Sequence, residues 1–127
     1  MIPNHEAFRY CYAMCLTVDC NVYDYLPDGQ VRYPFIYVGE NHKPLGEIVK
    51  DESVGEVRQN IHLFGTLKQR SQLNQLATHI HNQLKMNSGL GTYHFRPKEI
   101  TFETINDNST SQPLIHIVIS ALFNYSK

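Results

Sequence analysis

Residues 57–84, "VRQNIHLFGTLKQRSQLNQLATHIHNQL", change rhythm at Gly65-Thr66. Ahead of that point Val57, Gln59, Ile61 and Leu63 alternate with Arg58, Asn60, His62 and Phe64, the period-2 pattern of a strand with one face turned to a core. Behind it, Leu73, Leu76, Ala77, Ile80 and Leu84 recur at helical spacing. Thr66 followed by Gln69 has the spacing of a capping box. The stretch is therefore predicted to be a strand over residues 55–64 that feeds directly into a helix over residues 67–86, about 30 Å long. The apolar stripe of that helix is one side wide. Gln69, Arg70, Gln72, Asn74, Gln75, His79, Asn82, Gln83 and Lys85 fill the rest, so one side lies on a sheet and the other faces water or a partner. "NSGLG" ends it, with Gly89 or Gly91 able to take positive φ.

Working outward, "NHEAFRYCYAMCLTV" places Ala7, Phe8, Cys11, Met14 and Cys15 on one helical face, with Asn4 as N-cap and an end near Leu16. Pro27-Asp28-Gly29 reads as a turn. "YPFIYVGE" is a strand in which Phe35, Tyr37 and Gly39 share one face and Ile36 and Val38 the other, and Pro34 fits only as its first residue. Residues 41–55 are polar and carry Pro44, Gly46 and Gly55, as a long loop or loose hairpin does. "EITFETI" and "LIHIVISALFNY" are two further strands. Both faces of the last are largely apolar, which predicts a central strand covered on each side, at least in part. The expected fold is α+β: a mostly antiparallel β-sheet of about four strands with a long helix and an N-terminal helix packed on it, in the order α-β-β-α-β-β.

The bulk properties set limits. With 127 residues the chain is expected to be one domain, and a formal charge of −1 supplies no global field for nucleic acid or anionic membrane. Arg58, Lys68, Arg70, Lys85, Arg96 and Lys98 are scattered and form no stripe. The most apolar run, "PLIHIVISALFNY", is interrupted by His116 and Ser120 and is too short to span a bilayer. "MIPNHEAFRY" lacks the order of a secretory signal. Cys11, Cys15 and Cys20, an odd count within ten residues, argue for a reducing compartment rather than a disulfide framework. Two thiols on one helical face, Cys11 and Cys15, are the ligating pair to weigh, against buried small apolar residues as the plainer role.

Seven histidines invite a metal, but His79 and His81 project about 200° apart on a helix and cannot chelate one ion together. His62 and His116 lie in strands; neighbouring strands in register would let their imidazoles approach, with no third ligand placed locally. The acidic residues Glu47, Asp51, Glu52 and Glu56 belong to the loop region and read as solvated. Gly89-Leu90-Gly91 follows a helix, the reverse of a phosphate-cradling turn, and Ser120 sits inside a strand pattern rather than in a nucleophile elbow. No catalytic, cofactor-binding or metal residue is assigned, and a non-enzymatic protein without cofactor is expected. The alternative is a small metal- or carboxylate-dependent enzyme that assembles His62, His116 and loop carboxylates in one pocket.

Three segments together, "VYDYLPDGQVRYPFIYVGE", "VRQNIHLFG" entering the long helix, and the closing "LIHIVISALFNY", resemble the small tail completion, or tail-to-head joining, proteins of long-tailed bacteriophages and prophages. The resemblance covers residues 4–125 and rests mainly on residues 34–40 and the order of elements around them. It implies a small α+β domain without enzymatic activity or cofactor. It also implies a homo-oligomeric ring, a hexamer, at the head-proximal end of the tail, with the phage tail tube protein and head connector proteins as partners. The location implied is the virion at the head-tail interface, and the host cytoplasm before assembly, with a monomer as the isolated form. A tail terminator or another connector component is the neighbouring reading. The expected contact surfaces are residues 41–55 and the exposed side of the helix over 67–86.

Overall fold

The computed structural model describes residues 2–28, 31–42, 54–86, 88–89 and 91–127. Most of the loop expected over 41–55, with Glu47, Asp51 and Glu52, lies outside these residues, as do Gly29 of the expected turn and Leu90. The elements run α1 (Pro3–Cys15), β1 (Asn21–Tyr23), β2 (Phe35–His42), β3 (Val54–Thr66), a 3-10 turn (Leu67–Gln69), α2 (Arg70–Met86), β4 (His94–Asp107) and β5 (Leu114–Ser126). The strands form one five-stranded sheet in the order β1-β2-β3-β5-β4. Every neighbouring pair is antiparallel except β1 with β2. The expected α+β class and its order of elements hold, with one added strand. Three residues are too few to show a period, and β1 exists because Val22 and its neighbours can add to the edge of β2.

The strand-to-helix junction is built as its spacing predicts. Gln69 Oε1 accepts a hydrogen bond from the backbone N–H of Thr66 (2.9 Å), and its Nε2 donates to the carbonyl of Tyr33 (3.2 Å). Gly65 is required here. A Cβ at that position would stand 2.8 Å from Leu73 Cδ1 and 3.1 Å from Gln69 Oε1, so a side chain would push the first turns of α2 off the strand. Leu73, Ala77, Ile80 and Leu84 are buried, whereas Leu76 is only partly covered. At the far end of α2, Gly89 has the positive φ expected of the helix exit.

The N-terminal helix starts two residues earlier than its sequence suggests. Ile2 is the N-cap and Pro3 the first helical residue, a position where the missing N–H costs nothing. Asn4 is inside the first turn and does not cap it; its carbonyl instead accepts from Asn41 Nδ2 (2.8 Å), tying α1 to β2. Cys11 and Cys15 are fully buried in the core, which raises both thiols well above the ordinary range, first through loss of solvation. They are apolar packing residues. Cys20 is half-buried and its thiol is also pushed up, to about 11, chiefly by burial. Tyr10 locks the two helices together, its hydroxyl donating to the carbonyl of Leu84 (2.8 Å) while its ring stacks on Phe95 at 5.8 Å.

Both helices lie on the same face of the sheet. Val57, Gln59, Ile61 and Leu63 of β3 and Ile115, Ile117, Ile119, Ala121 and Phe123 of β5 point into that layer and are buried. The expectation that β5 is central and at least partly covered on each face holds: on its second face Leu114 and Leu122 are 3% and 8% exposed and His116, Val118, Ser120 and Asn124 are half-buried, although no helix crosses that face among the described residues. The β4 strand is longer than the alternating segment that announces it, because Pro97, which interrupts the pattern, falls at a register shift on an edge strand.

Two polar side chains are buried among the described residues, Glu6 and Gln59. Gln59 is fully buried, and its Nε2 donates to the carbonyls of Gly39 (2.9 Å), Asn60 (2.9 Å) and Glu40 (3.3 Å) while its Oε1 accepts from Asn41 Nδ2 (3.0 Å). Replacing it with Leu strands several buried acceptors, each worth about 1–3 kcal/mol. Gln59→Leu is accordingly expected to lower the unfolding free energy by about 2–4 kcal/mol despite its greater hydrophobicity. Urea denaturation followed by circular dichroism checks this, and a variant as stable as the parent contradicts it.

Candidate functional site on the uncovered face of the sheet

The face of the sheet opposite the helices carries the even-numbered residues of β3 and β5, whose burial is intermediate along most of both strands. The pairing places His62 opposite Val118 and Phe64 opposite His116, so the two histidines sit diagonally across the β3–β5 ladder. The approach left open by the sequence is realised: His62 Nδ1 lies 2.8 Å from His116 Nε2.

A carboxylate joins them, from a position the sequence did not mark. Between Val38↔Ile61 and Asn41↔Gln59 two residues of β2, Gly39 and Glu40, stand against one of β3, Asn60. This β-bulge breaks the alternation of β2 and turns Glu40 onto the uncovered face. Its Oε1 then accepts from Asn60 Nδ2 (2.8 Å) and lies 3.0 Å from His62 Nε2. A carboxylate only accepts, so His62 Nε2 carries its hydrogen, Nδ1 presents a lone pair, and His116 Nε2–H donates to it. The bulge glycine leaves the space. A Cβ at Gly39 would meet His62 Cδ2 at 3.1 Å and Tyr37 Cε2 at 3.2 Å. The sequence signal for Glu40 was faint, a Gly-Glu pair ending an alternating run, and parity alone assigns it to the wrong side.

Aromatic rings surround this chain of bonds. Tyr37 stacks on His62 at 5.4 Å, Phe64 on His116 at 4.2 Å, and Phe35 on Phe64 at 5.0 Å. The burial of His116 holds its imidazole below the ordinary value, and the charge of His62 adds to this, against the opposing pull of Asp107, Glu103 and Glu40. For Glu40, partial burial pushes upward but the hydrogen bonds from Asn60 and His62 win, leaving it below the usual carboxylate range.

The other candidates do not converge on these residues. Glu56 pairs with Lys98 at 3.0 Å. His79 is 3.2 Å from Thr17 Oγ1 and His81 faces Phe102 at 5.5 Å. Among the described residues no group of three or more His, Cys, Asp and Glu side chains is arranged to hold a metal ion. In Glu40–His62–His116 each nitrogen of His62 serves a different neighbour, a relay rather than a chelate. The exposed side of α2, with Arg70, Ser71, Asn74, Gln75, Thr78 and Asn82, lines a shallow polar depression.

The outer edge of the sheet is the second notable feature. Fourteen-residue β4 pairs with β5 on one side, and no described strand pairs with the other. Residues 101–106 are exposed, among them Phe102 at 47% and Ile105 at 38%. Such an edge is a template for a further strand.

No family model matches the chain, and none of the curated proteins does. Among solved structures, a chain of the virion of a native gene transfer agent particle is similar in fold. Its TM-score is 0.62 at 12% identity, with 94% of this chain and 96% of that chain covered.

The two shifted groups set a pH dependence of stability. A depressed histidine is protonated more readily in the unfolded chain, so the stabilisation from His116 is complete above the ordinary value of 6.5 and is lost as pH falls toward the folded value. The contribution of Glu40 is present above the ordinary 4.5 and is lost below it, as pH falls through its folded value. Urea midpoints measured from pH 8 to 4 are expected to stay level down to about neutrality and then fall in two stages. His116→Gln removes the upper stage; an unchanged upper stage in that variant contradicts the assignment.

Proposed function

We propose that this chain is a structural virion protein of one tail completion-like domain, residues 1–127, that closes a phage-type tail at its head-proximal end and joins it to the head connector. Three observations support the reading. The fold matches a chain of a gene transfer agent virion over nearly the whole length of both. The ring and imidazole groups of the uncovered sheet face are held in place by contacts with each other. The third observation carries most weight: the chain presents a long edge strand with exposed apolar residues, a surface suited to pairing with other chains.

In this role copies associate laterally into a closed ring of six, one side seated on the tail tube protein and the other offered to head connector proteins. The work is done by shape and edge complementarity, with no cofactor and no tuned nucleophile. The isolated subunit stays monomeric until it meets a tube end, which prevents premature rings. The exposed side of α2 and residues 41–55 are further contact surfaces. The enzyme reading has one observation in its favour, the meeting of Glu40, His62 and His116, but these lie on an open face and no nucleophile is hydrogen-bonded to them among the described residues.

Mixing the purified chain with tail tubes that lack their terminal protein, followed by negative-stain imaging, tests the role: density at one end of each tube is expected. Phe102→Lys with Ile105→Lys changes two exposed side chains, so stability should move by less than about 1 kcal/mol while tube-end binding is lost. Tubes that stay bare with the parent chain, or end binding that survives the double substitution, count against the joining role and the edge contact respectively.

A further inference from the structure

The bond between His62 and His116 constrains how many protons the pair can hold. In the neutral state Glu40 accepts from His62 Nε2–H and His62 Nδ1 accepts from His116 Nε2–H. One added proton fits without rearrangement. His62 becomes an imidazolium, its Nδ1–H donates to His116 Nε2, and His116 shifts its own hydrogen to Nδ1. A second proton does not fit. Two imidazolium N–H groups would then point at each other across 2.8 Å, two donors with no acceptor between them and two like charges in contact.

We propose that Glu40, His62 and His116 form an acid-operated latch on the uncovered face of the sheet. The first proton is stored between the rings with the face closed, and the second breaks the His62–His116 bond and releases His116 from Phe64. The charged groups facing the pair act on both rings, and only His62 has one in direct contact. Glu40 from β2 touches His62 directly, its Oε1 3.0 Å from Nε2. Tyr37, also of β2, covers the His62 ring. Glu103 and Asp107 from β4 bear on His116 through space, but neither is within ion-pair distance, so His116 is the ring with the weaker support for a charge. Phe64, stacked on His116 at 4.2 Å and on Phe35 at 5.0 Å, is what the release uncovers. The opened face then presents an apolar ladder beside two cations, where the closed face presents a neutral or singly charged hydrogen-bonded surface. The latch is a property of the fold and does not depend on the assembly role.

Imidazole nitrogen and carbon-bound proton signals of the full chain, followed by NMR from pH 8 to pH 4, test it. At pH 8 both rings are expected as the Nε2–H tautomer. On acidification the pair should titrate in two separated steps sensed by both rings, and the ring-current shift of His116 from Phe64 should vanish only with the second. Glu40→Gln is expected to move the first step toward acid. His116→Gln should abolish the second step and leave His62 with a single one. The proposal is overturned if the rings titrate as independent single sites, each indifferent to replacement of the other, or if the Phe64 shift disappears with the first step. Should Glu40→Gln fail to fold, the parent chain's tautomers and the splitting of its two steps decide the matter alone.

Discussion

The buried side chain of Gln59 is the interaction on which the working face of this protein depends. A β-bulge leaves carbonyl groups without ladder partners, and in a water-excluded layer such groups must find donors. Gln59 supplies them from the adjacent strand, and Asn41 closes the set by linking that amide to the first turn of α1. With the bulge held, Glu40 is directed to the side of the sheet away from the helices and meets Asn60 and His62. Without it, β2 would continue its alternation and the carboxylate would have no fixed place. A polar residue in the core thus determines what stands on the opposite surface.

The two faces of β3 show how one strand serves two unlike environments. Its odd-numbered positions pack beneath α2 and α1, where Ile61 and Leu63 contribute about 2 kcal/mol each by leaving water. The even-numbered positions carry groups that satisfy one another laterally: Arg58 with Ser120 at 2.8 Å, Asn60 with Glu40, His62 with His116, and Phe64 with Phe35. No second layer is needed to explain why such a mixed face stays ordered.

Much of this was legible in the residues. The change of period at Gly65-Thr66, the Gln69 cap and the alternation of β3 and β5 located the central strands and the long helix, because each is a local pattern with a local cause. What escaped depends on contacts distant in sequence. The three residues of β1 acquire strand geometry only by lying beside β2, and Asn4 gives up capping for a bond to a residue 37 positions away. At the site, His62 and His116 were visible as strand histidines whose register could not be known. Glu40 was hidden by the bulge, which reverses the side assigned by counting.

The unequal borders of the sheet give the molecule a direction. On one flank a three-residue strand running parallel to its neighbour blunts the border; on the other, no described strand lies along the outer side of fourteen-residue β4. Backbone pairing at these flanks is therefore not interchangeable: a strand arriving from outside finds a fourteen-residue template on one side and a three-residue one on the other.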